Sequence, residues 1–197
     1  MTAILPSPSP VASTPPAPNW PTLLLTLMML VVPAVGATSE ELLQDTLKSI
    51  LVSFFALAAS FAYFWQLRRQ QASTLHWHGL LWLPLLLMAY ALGSMAWSHP
   101  YLAGVEAVRW FVFSLILFLG MNTLTLARVT PLAWGIHLGA VIASLWTALQ
   151  FWFDFKFFAQ FAPPASTIVN RNLFAEFLVC TLPFSVLLMS QMRSKTS

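Results

Sequence analysis

The sequence predicts an all-α fold: a polytopic integral membrane protein of about six transmembrane helices, with both termini cytoplasmic. Three observations lead there. Of 197 residues, 58% are hydrophobic and only 8% charged, against about 25% charged in a soluble domain, so no soluble core of this size could bury the apolar surface. The apolar residues run continuously instead of alternating at every second position as barrel strands do. Six of these runs are long enough, or nearly so, to cross a hydrocarbon layer of about 30 Å as helices of roughly 17–25 residues.

The elements follow in order. Residues 1–19 form a disordered tail: seven of the fourteen prolines lie within the first 21 residues, which carry no charge and support neither helix nor core. The first span is placed near 20–37 and contains Pro33, which a membrane helix tolerates. Val35-Gly36-Ala37 also resembles a signal-peptide cleavage site, but no Lys or Arg precedes it and the apolar part is long. TSEELLQDTLKS, 38–49, extends the second helix at its start, with Thr38 and Glu41 as a capping box. The second span is placed near 50–67, the third near 79–97 and the fourth near 110–127. The fifth, near 131–152, encloses His137, and the sixth, near 173–192, leads to a short cytoplasmic tail, 193–197. No soluble domain, internal repeat or glycine-rich phosphate loop interrupts them.

Orientation rests on the basic residues of short loops. With the N-terminus inside, Arg68, Arg69, Arg128, Arg193 and Lys195 are cytoplasmic, and Lys48, Arg109, Lys156 and Arg171 lie outside. The Arg68-Arg69 pair and the basic tail decide the balance. The net charge of +3 is small and reports on topology and lipid headgroups; no nucleic-acid partner is expected. The single cysteine, Cys180, excludes an intrachain disulfide framework and a cysteine-based metal cluster.

Few residues carry chemistry. Pro163-Pro164 breaks any helix, and a new one is expected near Asn172, with Asn170 or Asn172 capping its free N–H groups. The positive end of that helix beside Arg171 forms an anion site for phosphate oxygens, or equally an interfacial arginine among lipid headgroups. Glu176 lies four residues after Asn172 on the same face, one turn into the apolar layer, where an ionisable group is expected to face the bundle interior or a wet cavity. Glu106 and Arg109 are spaced to pair on a helix, and Arg109 could instead join Arg171 in a basic pocket. FWFDFKFFAQF, 151–161, reads as an interfacial aromatic belt or as a wall for an isoprenoid chain. His76 and His78 make a poor metal site without carboxylate or cysteine nearby. His99 in an outer loop has no identifiable partner for acid–base work. His137 is expected to make an interhelical hydrogen bond. No hydrolytic triad assembles.

NRNLFAEFLVCTLPF, 170–184, resembles a segment of bacterial O-antigen ligases and polymerases: Asn-x-Asn, then an aromatic, a small residue and a Leu-rich helix ending in Leu-Pro. GSMAWSHPYLAGVEAVRW, 93–110, is similar to the family's outer loop, and the resemblance covers roughly residues 45–192. It implies an inner-membrane glycosyltransferase that moves a glycan from an undecaprenyl-diphosphate carrier to lipid A-core, another repeat unit or a glycoprotein acceptor. Transfer would occur at the periplasmic face without metal, nucleotide or other cofactor. By that likeness Arg171 contacts the diphosphate, Asn170 and Asn172 shape its loop, and Arg109 is a helper; Glu176, on the same helix face as Asn172, is placed with them as a candidate binding residue without an assigned partner. The family's catalytic histidine lies in a later loop with no counterpart before the final SQMRSKTS. The expectation is therefore an N-terminal portion, with no catalytic residue of its own and inactive alone. Half of a small-molecule transporter and a non-catalytic membrane remnant are the rival readings. A transporter predicts polar or broken-helix positions near the midplane, whereas the polar groups here are placed at the outer rim.

Overall fold

A computed structural model of the chain describes residues 19–38, 44–69, 75–155, 157–158, 164–168 and 170–196. The expected disordered tail and the Thr38–Glu41 capping box fall largely or partly outside these residues. The architecture is all-helical: α1 (Trp20–Ala34), α2 (Gln44–Arg69), a 3-10 turn (Gly79–Leu81) running into α3 (Trp82–Ser94), α4 (Pro100–Thr123), α5 (Leu126–Phe153) and α6 (Arg171–Thr196), with no strand among the described residues.

Four helices are long and apolar enough to cross a membrane: those containing Thr46–Arg69, Pro100–Thr123, Leu126–Phe153 and Arg171–Arg193. The other two expected spans are shorter. α1 stops at Ala34, giving about 22 Å of helix at ~1.5 Å per residue. Its chain turns extended at Val35 (φ −98°, ψ 129°), ending the run before the expected 37. α3 closes in a turn at 95–98, just before His99-Pro100, because the residue before proline is held out of the helical region. That proline opens α4, a position it favours. The expected outer loop before residue 110 is thus the first turns of α4, and Glu106 and Arg109 are helical residues. α2 starts at Gln44, as the predicted extension requires.

The helices stand in an open row, α6–α5–α1–α2–α4–α3, each packing chiefly on its neighbours in that order. The core is correspondingly thin: Leu25 and Met28 of α1, Ala59 and Tyr63 of α2, and Leu119 of α4 form its buried centre. Many large apolar side chains face outward, among them Phe61 (70% exposed), Tyr101 (72%) and Trp152 (73%). In water that surface would drive association; a hydrocarbon layer would cover it at no cost.

Two ends of the row can be told apart. At one, the Asn19 amide oxygen faces the Arg128 guanidinium, which offers only donors. Thr130 of α5 donates to Gln191 of α6 at 3.2 Å, so the start of α1 and the last turns of α6 emerge together. Asn122 at the end of α4 is joined to the His76 backbone in both directions, at 2.9 and 3.1 Å. Arg68 and Arg69, at the end of α2, belong to this end. The opposite end holds the end of α1, the beginning of α2 and α4, and the connection from α5 to α6.

Within the row, α1 and α5 meet most closely. Gly135 and Gly139 of α5 lie against the α1 backbone, where an added Cβ would meet the carbonyl oxygens of Thr26 and Met29, each at 2.6 Å. α6 packs on α5 alone among the described helices. Its buried side chains are Phe174, Thr181 and Leu188, seven residues apart and therefore on one seam.

Candidate functional site

The connection from α5 to α6 returns into the bundle. Asp154 ends α5 in a left-handed conformation (φ 48°). Phe155 and Phe157 then stack over Trp146, with ring centroids at 5.7 and 6.4 Å, and Phe158 meets its edge at 5.0 Å. The aromatic run is thus divided: Phe151, Trp152 and Phe153 face outward, and the next described rings roof the end of α5. Beyond it, Ala165 and Ser166 are fully buried and Thr167 nearly so.

A buried backbone needs partners for its polar groups; α5 supplies those of Ser166, and α1 and α2 bond the Thr167 side chain. Gln150 donates through Nε2 to the Ser166 carbonyl at 3.0 Å and accepts from the Ser166 N–H at 2.8 Å. The Ser166 hydroxyl donates to the carbonyl of Ala143, nearly three turns before α5 ends, a descent of roughly 15 Å. These bonds hold Ser166 in a left-handed conformation (φ 59°), which a non-glycine residue adopts only when its surroundings impose it. The Thr167 hydroxyl donates to the Pro33 carbonyl, one of the acceptors left over where α1 ends. Lys48 Nζ donates to the same hydroxyl at 3.3 Å. Residues 164–168 therefore tie α1, α2 and α5 together.

The chain leaves this clasp directly into Asn170-Arg171-Asn172. Asn170 is the cap: its Oδ1 accepts from the Asn172 N–H at 2.9 Å, and its carbonyl accepts from Phe174 N–H at 3.0 Å. Asn172 is the second helical residue, not the cap. Arg171 is exposed and makes no hydrogen bond or ion pair with a described residue. The resulting group, an exposed guanidinium beside a helix N-terminus on a firmly held approach, suits an anion.

The expected interior position of Glu176 is corrected. It is exposed, because it follows the buried Phe174 by two residues and so points about 200° away from the seam. Asn172 is exposed on the same side. Arg109 pairs with Glu106 at 2.7 Å, both side chains about half exposed, as the spacing predicts. Arg109 and Arg171 share an end of the row but not a pocket, since α4 and α6 do not pack together. His137 Nδ1 lies 2.9 Å from Ser185 Oγ, the interhelical bond between α5 and α6 that its position predicts. His78 caps the turn before α3 through Nδ1, 3.1 Å from Leu80 N. No group of three metal-ligating side chains occurs among the described residues.

A second feature was not anticipated. α2 and α4 meet around Tyr63 and Phe118, rings 5.9 Å apart, and diverge toward their N-terminal ends. A groove of about 870 Å³ opens between them, with Lys48, Ser53, Tyr101, Gly104, Arg109 and Phe113 among its lining. Sequence reasoning counted Lys48 only as a topological charge, and passed over Gln150, Ser166 and Thr167. The signal available was a glutamine in the last turn of an apolar helix, followed by Ser-Thr after a double proline.

No protein-family model, no curated protein and no solved structure matches this chain.

Proposed function

We propose that the chain acts at a bacterial inner membrane in glycan transfer, as an O-antigen ligase-like protein that holds an undecaprenyl-diphosphate-linked glycan at the periplasmic face. The end bearing Arg68, Arg69, Arg128 and Arg193 is assigned to the cytoplasm, in line with the positive-inside rule, and Arg171 to the outer surface. The observation that carries the reading is the capped start of α6, where Asn170 fixes the helix end and leaves the Arg171 guanidinium exposed. In the proposed reaction an acceptor hydroxyl on lipid A-core or a glycoprotein attacks the anomeric carbon and gives up its proton to water. The bond to the diphosphate oxygen breaks with inversion, and the departing negative charge gathers beside Arg171. Asn170 and Asn172 shape the approach, and Glu176 lies one turn further along the same exposed face. Arg109 belongs to a separate part of the surface and is not needed to bind the same diphosphate.

Deletion of the gene in its host tests the reading. The acceptor should lose its glycan while the carrier-linked form accumulates, and a gene encoding Arg171→Ala should fail to restore transfer at an unchanged protein level. Unaltered glycan on every acceptor in the deletion strain refutes the proposal. Full restoration by Arg171→Ala removes that residue from the site.

A further inference from the structure

From the groove between α2 and α4 we infer a binding site for an anionic phospholipid of the surrounding bilayer, independent of the glycan-transfer reading. The groove's walls are apolar, formed by Val52, Val105, Val108, Val112, Phe113 and Ile116. Its mouth is not: Lys48, Ser49 and Tyr101 stand there, with Arg109 about two turns further along α4. Neither cation is idle. Lys48 donates to Thr167 and Arg109 pairs with Glu106. An ammonium carries three donors and a guanidinium five, however, so these contacts do not exhaust the donors of either group.

The combination selects the occupant. A free anion gains nothing from the apolar walls, and a zwitterionic lipid, whose phosphate is offset by its own choline cation, gains less from Lys48 and Arg109 than a lipid of net negative charge. A lipid with a net negative headgroup uses both the walls and the cations, each cation adding to the attraction. The lined stretch of α4 from Tyr101 to Ile116 is about 22 Å long, enough for an acyl chain of one leaflet, about half of a ~30 Å hydrocarbon layer. Gly104 lies level with the mouth, and a Cβ added there would meet nothing within 4 Å, so the groove is open at the point where a chain would enter.

Native mass spectrometry of the full chain, purified in detergent and incubated with equimolar phosphatidylglycerol and phosphatidylcholine, tests this. Wild type should retain one phosphatidylglycerol in preference to phosphatidylcholine by about tenfold. Gly104→Leu should lose most of that retention with unchanged helicity and elution; should it fail to fold, Val108→Phe fills the same space. Lys48→Gln combined with Arg109→Gln should bind the two lipids equally. Retention unaffected by either filling variant overturns the site, as does wild type without headgroup preference. Displacement of phosphatidylglycerol by inorganic phosphate alone, or by a polyprenyl phosphate at equal concentration, overturns the assignment to a bilayer phospholipid.

Discussion

Gly139 of α5 and Gly104 of α4 are both helical glycines in apolar surroundings, and they meet opposite conditions. At Gly139 the missing side chain admits the backbone of α1, with the Met29 carbonyl oxygen 2.6 Å from where a Cβ would sit. Gly135, one turn earlier, does the same for Thr26. Four-residue glycine spacing of this kind lets two helices touch along their backbones, where dispersion and weak Cα–H···O contacts replace the hydrophobic drive that lipid removes. At Gly104 no neighbour enters, and α2 and α4 stand apart over a groove. The α1/α5 seam uses the absence of a side chain for cohesion, and the α2/α4 gap leaves the same absence as space. A glycine's role is therefore set by the partner helix and not by the glycine.

That contrast can be broken most sharply at the seam. Gly139→Leu should destabilise the chain by about 3 kcal/mol through overpacking against backbone that cannot yield, read as a lower thermal midpoint by circular dichroism in detergent. Gly104→Leu, measured in parallel, should stay within about 0.5 kcal/mol; equal losses at both positions would erase the distinction. The clasp joined to the seam comes next. Gln150→Leu leaves the Ser166 N–H and C=O without their partner and should cost about 1–3 kcal/mol. It should also speed proteolysis between α5 and α6, and unchanged cleavage would show that the aromatic roof alone holds the connection. The smallest effect belongs to the outermost helix. A double-mutant cycle on His137→Leu and Ser185→Ala should give a coupling near 0.6 kcal/mol, and zero coupling would leave α6 held by the Thr130–Gln191 bond and the packing of Phe174, Thr181 and Leu188.

Much of the helical order was legible because unbroken apolar runs have one solution away from water. The ends of the helices were harder to read. Hydropathy does not distinguish Val35-Gly36-Ala37, which lies past the helix end, from the helix before it, and it hides the first turns of α4, whose helical character only the Glu106–Arg109 spacing signals. Of the candidate site, Asn170 as a cap and Arg171 at an exposed helix start follow from Pro163-Pro164 and the asparagine spacing. The burial of Ser166 does not, since its partners Gln150 and Ala143 are distant in sequence and only folding brings them together. Glu176 was misplaced because the expectation supposed a helix surrounded by neighbours, whereas α6 has one. The glycine spacing at 135 and 139 was present in the sequence but silent without knowledge of which helix would meet it.

The hydrogen bond from Thr167 to Pro33 joins residues 134 positions apart. At roughly 5–20 residues per second, a ribosome needs about 7–27 s to make the donor after the acceptor has left it. Throughout that interval the Pro33 carbonyl at the end of α1 lacks its lasting partner. The clasp thus sets an order of assembly: helices α1 to α5 can gather early, but α1, α2 and α5 are tied together only when the approach to α6 arrives.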